Sequence, residues 1–266
     1  MTAKCYSLFA FLGKSLTRNN KNSNTDSFKR ELIKAANEAH SSSLDEVIVD
    51  GYFMMYVSKK INESYMDVQL ASIKGLSKDN FYPHGSNWRQ SVYGLDCDGW
   101  GELRKEIIDY FKSDEQGREF PTKGSDKEMR VYFVGDVAYC GIGNHRLVAA
   151  KAWLTYEDGD DALLRNINCS NNEVLPEFKE IFEQSLNEGA MLYYGYTPEF
   201  GVHDRRNIRN ILRVDSKDST SQFYEITGHY PDEIKSIGNR LLCRFVKYKH
   251  VGEDTIKQML HQGNLA

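Results

Sequence analysis

The stretch MRVYFVGDVAYCGIGNHRLVAAKAWL, Met129 to Leu154, carries three structural signals in succession. Arg130 to Val134 is a run of β-branched and aromatic residues, which favours a strand. Gly135-Asp136 reads as a tight hairpin turn and Val137 to Cys140 as the returning strand. Gly141 and Gly143 permit a sharp bend, and Asn144 is the type of residue that caps a helix. Leu147 to Leu154, rich in alanine and apolar residues, reads as that helix, packed on the hairpin. A glycine-rich turn thus feeds a helix N-terminus with His145 and Arg146 in its first turn. Free N–H groups, the positive end of the helix dipole and a guanidinium converge there, a chemistry suited to phosphate or another anion. Spacing alone somewhat favours plain turn glycines and a solvated arginine.

The residues Gly143 to Ala150, GNHRLVAA, resemble the Gly-x-His/Arg-Arg-x-x-Ala-Ala signature of the ParB/sulfiredoxin superfamily. That superfamily includes plasmid-partition CTPases, sulfiredoxins, a free-serine kinase and ParB-like nucleases. The flanking order is similar. Asn87 to Gln90 stands for the extended segment with its arginine, Trp100 to Phe111 for the following helix, and Met129 to Cys140 for the strand pair. The resemblance spans roughly Phe81 to Cys169. It implies that Gly141, Gly143, Asn144, His145 and Arg146 hold a nucleoside triphosphate, ATP or CTP, with Arg89 approaching from the extended segment. It also implies Glu102 as acid/base or metal ligand and His145 as a proton-transfer group, with Mg²⁺ as the candidate metal. Two departures matter. Asn144 stands where sulfiredoxins carry the catalytic cysteine, and Cys140 does not replace it. Partition proteins usually have glutamate at that position, so a neutral Asn144 weakens the case for CTP and Mg²⁺.

The expected fold class is α+β. A ParB/sulfiredoxin-like core covers 81–170, a small N-terminal α+β unit 1–80, and a mainly helical C-terminal part 171–266. In the N-terminal unit, Tyr6 to Leu12 is too short to span a bilayer and reads as a strand or short helix. Asp26 or Ser27 caps a helix from Phe28 to Ala39. Glu46 to Val49 and Tyr52 to Val57 read as a hairpin around Asp50-Gly51, and Ser64 to Ile73 as a helix. Phe81 to Gly101 is a long aromatic and glycine-rich stretch holding Arg89, Asp96 and Asp98; its carboxylates read more readily as exposed loop acids than as metal ligands. Thr155 to Asp161 reads as an acidic loop, Ala162 to Cys169 as a closing strand and Leu175 to Leu186 as a helix. Met191 to Tyr196 is a strand or an aromatic helix end. Arg205, Arg206, Arg209 and Arg213 form the most basic patch and are the candidate nucleic-acid contacts. Phe223 to Leu241, with Gly228 as turn and Pro231 opening a helix, has helix-turn-helix spacing.

A net charge of −4 gives no overall attraction to nucleic acid. The five cysteines, Cys5, Cys97, Cys140, Cys169 and Cys243, lack CxxC spacing, which argues against a disulfide framework and a zinc site and for a reduced, cytoplasmic protein. No membrane partner is expected. Two function classes follow. One is an enzyme, a nucleotide-dependent phosphotransferase, hydrolase or nuclease. The other is a non-catalytic module binding DNA or a protein partner, such as a phage- or plasmid-encoded regulator or host-interaction factor.

Overall fold

The computed structural model describes residues 23–78, 80–124, 127–196, 210–227, 233–238 and 246–261. The first half holds α1 (Ser23–Glu38), β1 (Val49–Asp50), α2 (Gly51–Tyr56), β2 (Ser58–Gln69), β3 (Ile73–Leu76), α3 (Trp88–Ser91) and α4 (Arg104–Lys112). Then come β4 (Arg130–Val134), β5 (Val137–Ile142), α5 (Asn144–Asp158), β6 (Leu163–Val174), α6 (Pro176–Glu188) and β7 (Met191–Tyr196). The chain closes with β8 (Asn210–Asp215), β9 (Ser221–Thr227), β10 (Glu233–Ile237), β11 (Lys249–Val251) and α7 (Glu253–Leu260).

The β4–β5 hairpin and α5 stand where the alternation and the glycines place them. They form the middle of a six-stranded mixed sheet ordered β1-β3-β5-β4-β6-β2. Strands β3 and β5 are parallel, with Leu76 opposite Cys140, so their C-terminal ends emerge together beside the start of α5. Ser77 fastens the two ends: its N–H donates to Cys140 O at 2.9 Å and its Oγ to Gly141 O at 2.8 Å. Open sheets present ligand sites at such carboxyl ends.

Alternation along the central strands fills both faces. Val131, Phe133, Ala138 and Cys140 face the core shared with α1, α3, α4 and α5. Val134, Val137 and Tyr139 face a second core with α2, α6, α7 and the inner side of a five-stranded antiparallel sheet, β10-β9-β8-β7-β11. The result is three layers: helices, mixed sheet, then antiparallel sheet with its helices. Among the described residues no helix is long and apolar enough to cross a membrane.

Several sequence expectations are corrected here. Among its described residues the C-terminal part holds more strand than helix, with β7 to β11 beside α6 and α7, rather than being mainly helical, and the described segments of the helix-turn-helix reading are strands. Ser221–Thr227 is β9, and it pairs antiparallel with β10, Ile237 opposite Phe223. The reason is alternation: Phe223 packs with Ile211 and Ile237 on one side of the sheet, while Tyr224 and Ile226 pack on the other. Tyr52 to Val57, read as a strand, is largely α2, because the Asp50 carboxylate caps the Tyr52 and Phe53 N–H groups. Its run is apolar on every face, even at the half-buried Tyr52 and Met55, and periodicity cannot separate such a run from a buried strand. Ser64 to Ile73, read as a helix, lies mostly in β2, an edge strand whose register with β6 runs from Ser58 to Gln69. Ladder pairing there outweighs weak local propensity. Asn144, expected as the cap, is the first residue of helix α5, which runs to Asp158, through part of the expected acidic loop. The segment Tyr6 to Leu12, Cys5, Cys243, Gly228 and Pro231 lie outside the described residues.

Candidate functional site

Glycine is required at two places here, in the turn at Gly143 and within β5 at Gly141. Gly143 has φ +90°, a conformation that L side chains rarely adopt, and it is the N-cap of α5. A Cβ on Gly141 would sit 2.2 Å from the Tyr132 ring, so Gly141 makes room for that ring. Gly143 O accepts from Leu147 N–H at 2.8 Å, which starts the helix. The N–H groups of its first turn have no carbonyl one turn back and face outward along the axis.

That helix end forms the foot of a cleft of about 850 Å³, within the usual range for small-molecule sites of about 300–1,000 Å³. Lys78 follows β3 and forms one side, and Thr122, Lys123, Gly124 and Lys127 form another. The third wall is the turn Asp96 to Leu103, including Asp98, Trp100 and Glu102. Among the described residues Lys78, Lys123 and Lys127 have no ion-pair partner, whereas Lys74 is paired with Glu46 and Lys112 with Glu157. Among the described residues the cleft lining thus carries three lysines without an ion-pair partner together with Asp96, Asp98 and Glu102.

Each predicted residue has a definite place. His145 lines the cleft, packed against Phe81 with ring centres 4.1 Å apart and the rings tilted by 43°. Its Nδ1 accepts from the Asp96 N–H at 3.3 Å, so the neutral ring carries its proton on Nε2. Burial pushes its pKa below the usual histidine value, which keeps the ring neutral at pH 7. Glu102 lines the same cleft, in the turn before α4. Asn144 does not cap the helix. Its Oδ1 accepts from Lys78 N–H and its Nδ2 donates to Ser77 Oγ, both at 3.3 Å, so it ties α5 to the end of β3. Arg89 stands outside the cleft. Its guanidinium closes the C-terminal end of α1, donating to the carbonyls of Ala36, Ala39 and Ser41, and pairs with Asp45. A four-residue helix opened by the Asn87–Gln90 capping box aims it that way. Cys140 is buried, and burial pushes its thiol above the usual range, which removes it as a nucleophile. Of the basic patch, Arg205, Arg206 and Arg209 lie outside the described residues, and Arg213 pairs with Asp215 and lies over the Tyr193 ring.

Arg146 departs most from expectation. It lines the cleft but is only 7% exposed. Its Nη2 donates to Lys127 O at 2.6 Å, which pins the basic wall against the helix, and its guanidinium lies over the Phe120 ring. Its Nη1 is buried without a hydrogen bond. The charge reaches Glu115, a buried carboxyl that accepts from Tyr110 Oη at 2.8 Å on one oxygen and has no partner on the other. Sequence reading missed Glu115 and the three lysines, because single polar residues in irregular segments carry no periodicity. Arg146→Ala is expected to cost about 2–3 kcal/mol in urea unfolding, since it strips the Lys127 carbonyl of its donor and a buried carboxyl of its counter-charge. A loss below about 0.5 kcal/mol, the level of an exposed charge, would contradict this placement.

Among the described residues no group of three or more His, Cys, Asp or Glu side chains is placed to hold a metal ion. No protein-family model, curated protein or solved structure matches the chain.

Proposed function

We propose that the protein is a ParB/sulfiredoxin-like nucleotide-binding protein that slowly hydrolyses or transfers the terminal phosphate of a nucleoside triphosphate such as ATP or CTP. One observation carries this reading: the N-terminus of α5 opens into a cleft of about 850 Å³ lined by Lys78, Lys123 and Lys127, which have no ion-pair partner among the described residues. Helix dipole, free N–H groups and ammonium groups all favour a polyphosphate. The Gly143 to Ala150 signature adds a second, independent support. Phosphoryl transfer asks mostly for positioning and charge stabilisation. In this cleft the α5 N–H groups and the lysines would hold the phosphates. His145 Nε2–H would donate to the developing charge, and Glu102 would align the attacking hydroxyl or water. Arg146 would act through the basic wall it pins. Mg²⁺, when bound, would neutralise charge between phosphate oxygens; with so few protein ligands it would come with the nucleotide, held by its phosphates and at most a carboxylate such as Glu102.

A non-catalytic nucleotide-sensing or partner-binding module is the second reading, favoured by Asn144, whose side chain is spent on Ser77 and Lys78. A thermal-shift screen of nucleoside tri- and diphosphates, with and without Mg²⁺, tests the shared premise. Selective stabilisation is expected, by about 2.7 kcal/mol at a hundredfold excess over the dissociation constant. A flat response to every nucleotide would remove the nucleotide reading in both its forms.

A further inference from the structure

We propose that the buried cluster of Tyr110, Glu115 and Arg146 behind the cleft is a protonation switch on its Lys127 wall: with Glu115 neutral, Arg146 holds the Lys127 carbonyl, and with Glu115 ionised, Arg146 turns to the carboxylate and lets that wall go. The three residues come from α4, the segment after it and α5, and all are buried. Tyr110 Oη donates to one Glu115 oxygen at 2.8 Å, and the Glu115 N–H donates to Arg165 O at 3.0 Å, so the carboxyl is fixed in place. Arg146 Nη2 is spent on Lys127 O. Two buried atoms of the cluster are left without a hydrogen bond, Arg146 Nη1 and the second oxygen of Glu115. One is a donor and the other an acceptor, on groups of opposite charge. Orphaned buried polar atoms are costly, and pairing these two relieves both. The guanidinium is a rigid planar fork, so bringing Nη1 to Glu115 swings Nη2 away from Lys127 O. Arg146 also lies against the foot of the cleft: a Cβ on Gly143, the N-cap of α5, would sit 3.1 Å from its Nε and Nη2.

Ionisation of Glu115 selects between the two arrangements. The groups facing it are Tyr110 from α4, Arg146 from α5, Cys140 from β5, and Arg118 and Glu128 from its own segment, while β6 presents the Arg165 carbonyl. Arginine is charged throughout. Burial raises the Tyr110 and Cys140 protons above their usual ranges, and the Tyr65 phenol holds Glu128 below the usual carboxylate range. Burial lifts Glu115 to about 7, against the pull of Tyr110 and the two arginines. Glu115 is thus the member that changes charge near neutral pH. A neutral Glu115 offers Arg146 no anion, and the guanidinium stays on Lys127 O. An anion in the cleft favours that state, because a second nearby anion makes Glu115 harder to ionise. This last step rests on the nucleotide reading; the switch itself does not.

The test reads the wall in the ligand-free full chain by trypsin. Cleavage after Lys127 is measured relative to cleavage after Lys179 in α6, a ratio that cancels trypsin's own pH dependence and any change in global stability. In the wild type the ratio is expected to rise about fivefold between pH 6 and 8.5, and in Glu115→Gln, the neutral isostere, to stay within about twofold, a coupling at the low end of conformational switches. The wild-type midpoint is expected near 7. Tyr110→Phe removes a donor to the ionised carboxyl and should move that midpoint upward; measured against wild type, it keeps the test standing should Glu115→Gln not fold. A flat wild-type ratio overturns the switch, and so does a midpoint that Tyr110→Phe leaves in place. In a second arm, ATP is expected to bind wild type about fivefold more weakly than Glu115→Gln at pH 8.5 and equally at pH 6. The trypsin response without ATP binding leaves the switch standing and removes the nucleotide reading. ATP binding with the same pH profile in both proteins overturns the coupling of the switch to the cleft.

Discussion

Replacing His145 by alanine is expected to lower nucleotide turnover by about 10²–10³-fold, the usual effect of deleting one preorganised donor to transition-state charge. The expectation rests on the tautomer. The Asp96 N–H occupies Nδ1, so Nε2 carries the proton and acts as a donor, not as a base. The neutral ring is held in that state by burial on Phe81. The role of base then falls to Glu102 on the facing turn. Glu102→Gln keeps the shape and loses the charge, so turnover should drop by a similar factor while nucleotide binding persists. His145→Gln, which can offer an N–H from a nearby position, should retain more activity than His145→Ala. Steady-state turnover of purified wild type and the three variants checks this. Equal rates in all four would exclude both residues from the chemistry. Binding without turnover in the wild type would leave the sensing module.

The second large effect is a stability minimum near neutral pH, generated by two buried groups of opposite sign. Burial pushes the Glu115 carboxyl up to about 7 from an ordinary 4.5. Between those values the unfolded chain has lost a proton that the folded chain keeps. Stability therefore falls as the pH rises through that window, by an amount of the order of 3 kcal/mol. Lys151 lies in α5 with none of its surface exposed. Its Nζ donates to Leu70 O and Ile73 O at 2.8 Å each and sits 4.1 Å from the centre of the Trp88 ring. Burial, helped by the Lys74 charge, pushes its pKa down to about 7 from 10.5, against the opposing pull of Glu46 and Asp160. Between those values the unfolded chain holds a proton that the folded chain has released. Stability therefore rises with pH across that window, by an amount of the order of 5 kcal/mol. His145, lowered from 6.5, adds a smaller rise on the acid side of neutrality. Urea unfolding from pH 4.5 to 10 should trace a trough. Glu115→Gln should remove most of the acid limb and Lys151→Met the alkaline limb. Limbs unchanged in these variants would assign the pH dependence to other groups.

Local sequence determined the element on which the site is built. The strand alternation of Arg130 to Val134, the Gly135-Asp136 turn and the glycines before α5 are short-range constraints, and the β4–β5–α5 unit obeys them. The same reading found His145 and Glu102, which the fold brings to one cleft. It could not tell Tyr52 to Val57 from a strand, because a run apolar at every position has no polar face to betray its period. Nor could it separate Ser64 to Ile73 and Phe223 to Thr227 from helix, because their pairing partners, β6, β8 and β10, are decided by the sheets. Arg89 and Arg146 show the limit most plainly. Both have the residue type that an anion site wants. One is drawn away by the open carbonyls at the end of α1 and the other by Lys127 O and a buried carboxyl. Lys78, Lys123 and Lys127 carry no signal in the chain and acquire a role only because strand order sets β3 beside β5 and Arg146 holds the Lys127 segment at the helix end. Residue type and local spacing fix which backbone can form; where a charge points is fixed by which unsatisfied groups the packed structure brings within its reach.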